Sequence, residues 1–418
     1  MNRRRELTWG ALGLLVVSGF LNYFDRSNLS VGAGQIQKEL HLDSLQLGML
    51  FSAFFWTYAL MQLLLISGWL VERFNVCWIL AGGFFLWSGA TAATGAAHAF
   101  AVVFGLRLVL GIGESIAYPS YSRLLANYFP EQRRGIANAL IDAGTKLGPA
   151  FGTLLGGLLM IVYGWRAFFV GLGVGSLLWL IPWLLWMPHG KGAETREHPE
   201  AMPSAWDILR QRSAIFTALG LFCSNYFWYF LITWLPLYLQ TERHFSAARM
   251  TAVASSAYFA IALSATMSGW LSDHLIARGS TPNRVRKTFA GVGLSLSTII
   301  LPVALVDDPN IAITLLVVAC FCFGIYTANV FAITQTLAGP RAAGKWTSLQ
   351  NGFANFAGVT APWLTGWIVN RTGEYYWAFV VAAVVVLAAA AIFVFGIECV
   401  EPVRWPRHPV ASLSSAKS

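Results

Sequence analysis

The sequence predicts an all-α membrane protein of twelve transmembrane helices in two six-helix bundles. Three observations predict it. Only 11% of the 418 residues are charged and 56% are hydrophobic; soluble domains carry about 25% charged residues, so a chain this apolar could not cover its surface in water. Hydrophobic stretches of about 20 residues, long enough to cross a bilayer core, recur along almost the whole length. The alternating stretches of about 10 residues that mark a membrane barrel are not seen. Within lipid the remaining spanning structure is the helix, which pairs all its own backbone groups.

The spans read at 8–31, 46–70, 76–97, 100–127, 136–162, 165–188, 212–240, 247–272, 287–306, 310–338, 345–371 and 374–399. The first follows Arg3-Arg4-Arg5 and has the outline of a signal peptide. No small-residue cleavage site follows, and the run continues into Asn22-Tyr23-Phe24-Asp25-Arg26, so it reads as a retained span. Segment 189–211 is the longest polar interruption and separates an N-terminal bundle, 1–188, from a C-terminal bundle, 212–400. The tail, 401–418, is polar and expected to be disordered. With the N-terminus cytoplasmic, nineteen loop arginines and lysines fall on that side and five on the other. Basic loops stay inside, so both termini are expected to be cytoplasmic. The net charge of +9 is then a consequence of topology, and a nucleic-acid surface is not needed. Ser67-Gly68-Trp69-Leu70-Val71-Glu72-Arg73 ends the second span, and Ser268-Gly269-Trp270-Leu271-Ser272-Asp273-His274 ends the eighth, 201 residues later. Such repeats mark transporters built from two similar bundles, with the binding site near the midplane between them.

Ionisable residues inside a span cost several kcal/mol and are functional candidates. Here they are Asp25 and Arg26 in span 1, Arg107 and Glu114 in span 4 (with Arg123 nearer its cytoplasmic end), and Asp142 and Lys146 in span 5. None lies well inside a span of the second half, and no histidine lies deep in a span. Proton carriage therefore falls to carboxylates. Helical spacing puts Asn22, Asp25 and Arg26 on one face, and Arg107, Gly111, Glu114, Tyr118 and Tyr121 on another. Arg107 and Glu114 are seven residues apart, roughly 10 Å along the axis, which is too far for direct pairing. Asp25 can pair with Arg107 or with Arg26. A buried acid beside an arginine is pulled both ways by burial and by charge, which suits a coupling site; structural ion pairing is the plainer alternative. Asp142 and Lys146, four apart in the favourable order, read either as a self-neutralising pair or as a lysine awaiting an anionic ligand. Tyr23, Tyr58, Tyr118, Tyr226 and Tyr229 fall at cavity depth. In the second half Asn225, Asn329, Gln350, Asn351 and Asn355 interrupt apolar spans, with Asn351 and Asn355 on one face. They suit interhelical hydrogen bonds or ligand hydroxyls.

The five cysteines show no disulfide or zinc spacing, and Cys320-x-Cys322 reads as helix packing. Gly111-Ile112-Gly113 lies inside a span and lacks the lysine of a phosphate loop. No Walker motif, zinc signature or nucleophile elbow appears, so ATP-driven transport and membrane hydrolysis lack support.

Several stretches resemble the anion:cation symporter family of the major facilitator superfamily. They are Asn22-Tyr23-Phe24-Asp25-Arg26-Ser27-Asn28-Leu29-Ser30, Phe54-Phe55-Trp56-Thr57-Tyr58-Ala59, Gly111-Ile112-Gly113-Glu114, Thr233-Trp234-Leu235-Pro236-Leu237-Tyr238-Leu239 and Asn355-Phe356-Ala357-Gly358. The resemblance covers about residues 8–395. It implies the major facilitator fold and proton symport of an organic anion, in bacteria most often a hexuronate, aldonate or aldarate. By resemblance Arg26 holds the substrate carboxylate, Asp25 and Glu114 are the proton-coupling acids, and Arg107 modulates Asp25. Tyr23, Tyr58, Tyr226 and Asn355 then belong to the substrate site, with Thr145 at the equivalent position of span 5; Lys146 and Asn351 join them from the spacing arguments above. Two loop positions depart from the superfamily pattern: Glu72 stands where aspartate is usual, and Asn75 where glycine is usual. The Asp142/Lys146 pair is not expected of sugar-acid members.

The expectation is thus a monomeric, proton-coupled importer of a sugar acid in the bacterial inner membrane, working by alternating access. It needs no cofactor, its driving ion is the proton, and its partners are the anion, protons and the bilayer. A carrier of an aromatic carboxylate, a sulfonate or tartrate is the nearest alternative. A transporter-like sensor stands further off, because a sensor needs no proton cycle.

Overall fold

The structure, a computed structural model, describes residues 2–128, 131–187 and 203–405; within these, the side chains of residues 2–9, 72, 126–128, 131–136, 138–139, 142, 340–341 and 344 are left out. The described residues form helices and no strand. Eight helices are long and apolar enough to cross a membrane on length and composition alone. One of these, Ala143–Trp186, supplies two crossings, because the chain reverses at Gly164 (φ 78°), in backbone space that favours glycine. The first, ninth and eleventh spans complete the twelve. The first, Asn2–Val31, is one continuous helix that carries the polar Asn22, Asp25, Arg26 and Asn28. The ninth is divided into Pro282–Leu296, a short turn and Ile300–Val303. The eleventh begins after a second glycine reversal, at Gly339 (φ 64°), and is completed by Ala357–Thr372.

The other spans are the second (Ser44–Leu63 with Ile66–Arg73), third (Val76–Gly95), fourth (Phe100–Ser115 with Ala117–Tyr128), seventh (Arg212–Thr241), eighth (Ala247–Ala277) and twelfth (Tyr376–Ala391). The fourth span breaks just after Glu114. Pro119 explains the break: its ring has no N–H to give and crowds the carbonyl of Ser115, four residues back.

In the first half the first span packs on the fifth, the second on the fourth, and the third on the fourth and sixth. In the second half the eighth and ninth pack on the tenth, and the seventh on the tenth, eleventh and twelfth. Among the described residues the halves meet most extensively where the first span packs on the seventh, the second on the eleventh and the fifth on the eighth, and aromatic side chains of the second span also reach the seventh. Aromatic side chains fill these seams. Phe51 meets Trp234 edge-on at 5.4 Å, Phe55 lies 4.3 Å from Tyr229, and Phe151 meets Phe259 at 5.3 Å. Leu185, Val162, Trp270 and Phe395 on the outer surface are more than half exposed, as side chains facing lipid must be. The repeat recurs in space. Trp69 and Trp270 are both exposed at the ends of their spans, Trp69 edge-on to Phe74 and Trp270 stacked on His274.

Residues 189–202 of the polar interruption, and residue 188 before them, lie outside the described residues. Its remainder opens with Ser204, which caps the short helix Ala205–Leu209 reciprocally with Asp207. The tail departs from the expected disorder at its start. The Val403 amide donates to the Leu337 carbonyl (2.8 Å) and the Trp405 indole to that of Ala338 (2.9 Å), both just before the Gly339 reversal. Carbonyls at a helix end have no intrahelical donor, and these two tail groups supply one. Residues 406–418 lie outside the described residues.

At the opposite end Arg166 gathers the first half. Its guanidinium donates to Glu39 (2.7 Å), Gly95 O (3.0 Å) and Ala97 O (2.6 Å), and lies over the Trp165 ring. The Trp165 indole donates to the other Glu39 oxygen at 2.6 Å. These two donors hold the Glu39 carboxyl below the usual carboxylate range.

Candidate functional site

A cavity opens between the halves, lined from the first half by Tyr23, Arg26, Ser30, Phe51, Phe54, Phe55 and Arg107 and from the seventh span by Trp228, Tyr229, Ile232 and Thr233. The floor is an ion pair. Arg26 Nε donates to Glu114 Oε2 at 2.8 Å, with both side chains almost fully buried (5% and 0% exposed). Burying the pair costs desolvation that only good geometry offsets, and removing one partner leaves a charge uncompensated, at about 3–5 kcal/mol.

Local structure explains why the two meet. On the fourth span, Gly111 lies against the Phe54 carbonyl and Thr57 hydroxyl of the second, too close for any side chain. Thr57 also donates to Leu108 O at 2.7 Å. This approach drives the Phe54 ring between the two arginines, 4.9 Å from the Arg26 guanidinium and 5.3 Å from that of Arg107. Tyr23 (4.4 Å) and Tyr58 (4.7 Å) cover the other sides of Arg26. Cation–π contacts of this kind contribute about 0.5–2 kcal/mol each and hold the guanidinium flat. Arg26 spends its Nε on Glu114; its Nη2 is buried with no hydrogen-bond partner among the described residues, as are Arg107 Nε and Glu114 Oε1. The cavity thus presents two cations with donor capacity in hand. An anion placed there finds charge-assisted hydrogen bonds without first displacing every existing contact.

Asp25 sits behind this floor. Of the two pairings open to it from the sequence, neither forms among the described residues. Arg26 is taken by Glu114, and Asp25 Oδ2 instead accepts from the Thr91 hydroxyl of the third span. Asp25 Oδ1 is buried without a partner, in the electrostatic field of Arg107 and Arg26.

The other residues singled out from the sequence divide into two groups. Tyr23, Arg26 and Arg107 line the cavity, and Tyr58 backs it through Arg26. Asn355 reaches it through Tyr229, whose hydroxyl donates to Asn355 Oδ1 at 2.6 Å. Asn355 in turn donates to Asn351 O (2.8 Å), and Asn351 contacts Gln62 of the second span (3.4 Å) across the seam between the halves. The remainder stand away from the lining. Thr145 is buried beside Gly19 of the first span. Tyr226 is buried near Thr365 of the eleventh. Lys146 is half-buried, with no hydrogen bond or ion pair to a described residue; the Asp142 side chain proposed as its partner lies outside the described residues.

Comparison with known proteins now adds to this geometry. Residues 15–361 match the sequence pattern of the Major Facilitator Superfamily. The chain belongs to that superfamily. It is therefore a multi-pass membrane transporter and not an enzyme. Similar proteins include a probable galactarate/D-glucarate transporter of Bacillus subtilis (28% identical, covering 93% of this chain and 91% of that one). A probable sulfoacetate transporter of Cupriavidus necator is 29% identical over 94% of this chain and 95% of its own. The D-galactonate transporter of Escherichia coli is 28% identical over 93% and 94%. Among solved structures, a bacterial homologue of the human lysosomal transporter Spinster superposes with a TM-score of 0.80 at 19% identity, covering 94% of this chain and 97% of that one, a likeness of fold. The superfamily and the transporter function expected from spans 1, 2, 4, 7 and 11 are thereby shown.

Proposed function

We propose that the protein is a proton-coupled symporter that imports an organic anion, with a sugar acid (hexuronate, aldonate or aldarate) as the preferred substrate. The observation that carries this reading is the buried Arg26–Glu114 pair at the floor of a cavity between the halves. An arginine bound to an acid that can be neutralised is a site where proton and anion assist each other. When Glu114 gains a proton, its hold on Arg26 weakens and the substrate carboxylate takes the guanidinium. When the anion leaves, the carboxylate reforms the pair. Asp25 carries a second proton beside it. Arg107, Tyr23, Tyr58 and Asn355 shape the remainder of the site. The bundles 1–188 and 212–400 rock around it, with both termini in the cytoplasm of a bacterial cell and the protein acting as a monomer. The reading calls for no cofactor, because the proton gradient supplies the work. The named substrates of similar proteins support the sugar-acid class.

A second reading, import of a small sulfonate, draws on the lining itself. Phe51, Phe54, Phe55, Trp228 and Ile232 outnumber the hydroxyl-bearing residues available to read a sugar, and one similar protein is a probable sulfoacetate transporter. The test is uptake into proteoliposomes of labelled galactarate, galactonate, glucuronate and sulfoacetate, with and without an inward proton gradient. Accumulation of a sugar acid only under the gradient is the expected result. Gradient-driven accumulation of sulfoacetate alone would move the substrate to the sulfonate, and accumulation indifferent to the gradient would overturn the coupling.

A further inference from the structure

We propose that Thr91 is a positioning residue for proton coupling, holding Asp25 in reach of both its protonation states. The inference rests on the proposed proton symport and adds a member that the spacing of charged residues did not reveal. Thr91 is buried about one turn before the end of the third span and gives its hydroxyl to Asp25 Oδ2. A threonine in a helix ordinarily spends that hydroxyl on a carbonyl of its own preceding turn, as the neighbouring Thr94 does toward Ala90 O at 2.8 Å. At Thr91 the donor leaves its own helix for the first span.

The chemistry of the partner matters. An arginine only donates, so it holds a carboxylate well and a carboxylic acid poorly. A hydroxyl both donates and accepts: it gives its hydrogen to the Asp25 carboxylate, and when Asp25 is protonated it can accept the acid's O–H instead. Asp25 can then load and release a proton while keeping one hydrogen bond, so neither state is left with a buried orphan on that oxygen. The charged and titratable groups facing Asp25 are Arg26 on its own helix and Arg107 and Glu114 on the fourth span; from the third span only the neutral Thr91 comes forward. Arg26 is engaged by Glu114, and Arg107 forms no ion pair among the described residues. Thr91 thus orients the acid from the third span.

The test is the pH profile of transport in proteoliposomes for wild type, T91V (isosteric, without the hydroxyl) and T91S (hydroxyl kept), using galactarate or whichever anion the wild type accumulates. Counterflow at saturating anion measures folded, exchange-competent protein. The expected result is that T91V keeps counterflow within about twofold at its best pH, while its pH profile moves by about one unit toward higher pH, since the carboxylate form loses its donor. T91S should restore the wild-type profile. A driven wild type with a superimposable T91V profile would overturn this inference alone. A wild type whose uptake ignores the gradient would overturn the coupling and this inference with it. Should T91V fail to insert, T91A against T91S carries the same comparison.

Discussion

Replacing Glu114 with glutamine separates the roles of the buried pair. The substitution keeps the shape and one oxygen acceptor, so Arg26 Nε retains a hydrogen bond at the 2.8 Å position while the negative charge is lost. Hydrogen bonds to charged partners contribute about 1.5–3 kcal/mol and neutral ones about 0.5–1.5, so the guanidinium is held some 1–2 kcal/mol less tightly. An incoming carboxylate competes with Glu114 for that guanidinium. On the alkaline side, where wild-type Glu114 is ionised, E114Q should therefore bind the anion about 5- to 30-fold more tightly than wild type. On the acid side the advantage should disappear, because a proton neutralises Glu114 in the wild type as well. The assay is equilibrium binding of the labelled substrate to purified protein across pH, paired with uptake. Wild-type affinity is expected to fall as pH rises, E114Q affinity to vary less with pH (the remaining dependence belonging to Asp25), and gradient-driven accumulation to be abolished while counterflow persists. Parallel pH dependence in the two proteins, or full driven accumulation by E114Q, would refute the competition argument.

Further outcomes follow from the same contacts. Arg26→Lys keeps the charge but loses the planar fork and the stacking on Tyr23 and Tyr58, so anion affinity should weaken at least about tenfold in the same binding assay; unchanged affinity would remove Arg26 from the site. A methyl group at Gly152 of the fifth span would lie 2.7 Å from the Phe24 carbonyl, pressing on the turn that bears Asp25 and Arg26. Gly152→Ala should cost about 1–3 kcal/mol, read as a lower Tm in detergent together with reduced uptake, and an unshifted Tm would argue against the close approach. The Arg166 guanidinium and Trp165 indole depress the Glu39 pKa, so their stabilisation is complete above the unfolded value of about 4.3 and is lost as pH falls through the lower folded value. The Tm gap between wild type and Glu39→Gln should accordingly be constant at neutral and mildly acid pH and close only in strong acid; a gap that closes between neutrality and mild acidity would mean that another group supplies it.

How much could be read beforehand differs between fold and site. The crossings were legible because apolar length and the cost of unpaired backbone in lipid act on each segment separately. Intramembrane Asp25, Arg26, Arg107 and Glu114 stood out for the same local reason: a charge in lipid is expensive wherever its partner is. Their pairing was not legible. Spacing along one helix relates Asp25 to Arg26, and Arg107 to Glu114, but says nothing of which face of one helix meets which face of another. Only packing put Arg26 on Glu114, slid Phe54 between the two arginines and turned Asp25 toward Thr91. Thr91 carries no charge and sits in an apolar run, so no large local cost flagged it; a helical threonine usually satisfies its hydroxyl on its own preceding turn. The tail shows the same limit, since a polar segment becomes ordered only because the carbonyls of Leu337 and Ala338 await donors at a helix end. Sequence by itself thus determined the twelve-helix membrane class, the superfamily resemblance and the candidate charges, since each follows from the local free energy of a residue in lipid. The tertiary structure decided the pairings, the cavity and its neutral partners, because hydrogen bonds between helices depend on geometry that no single segment contains.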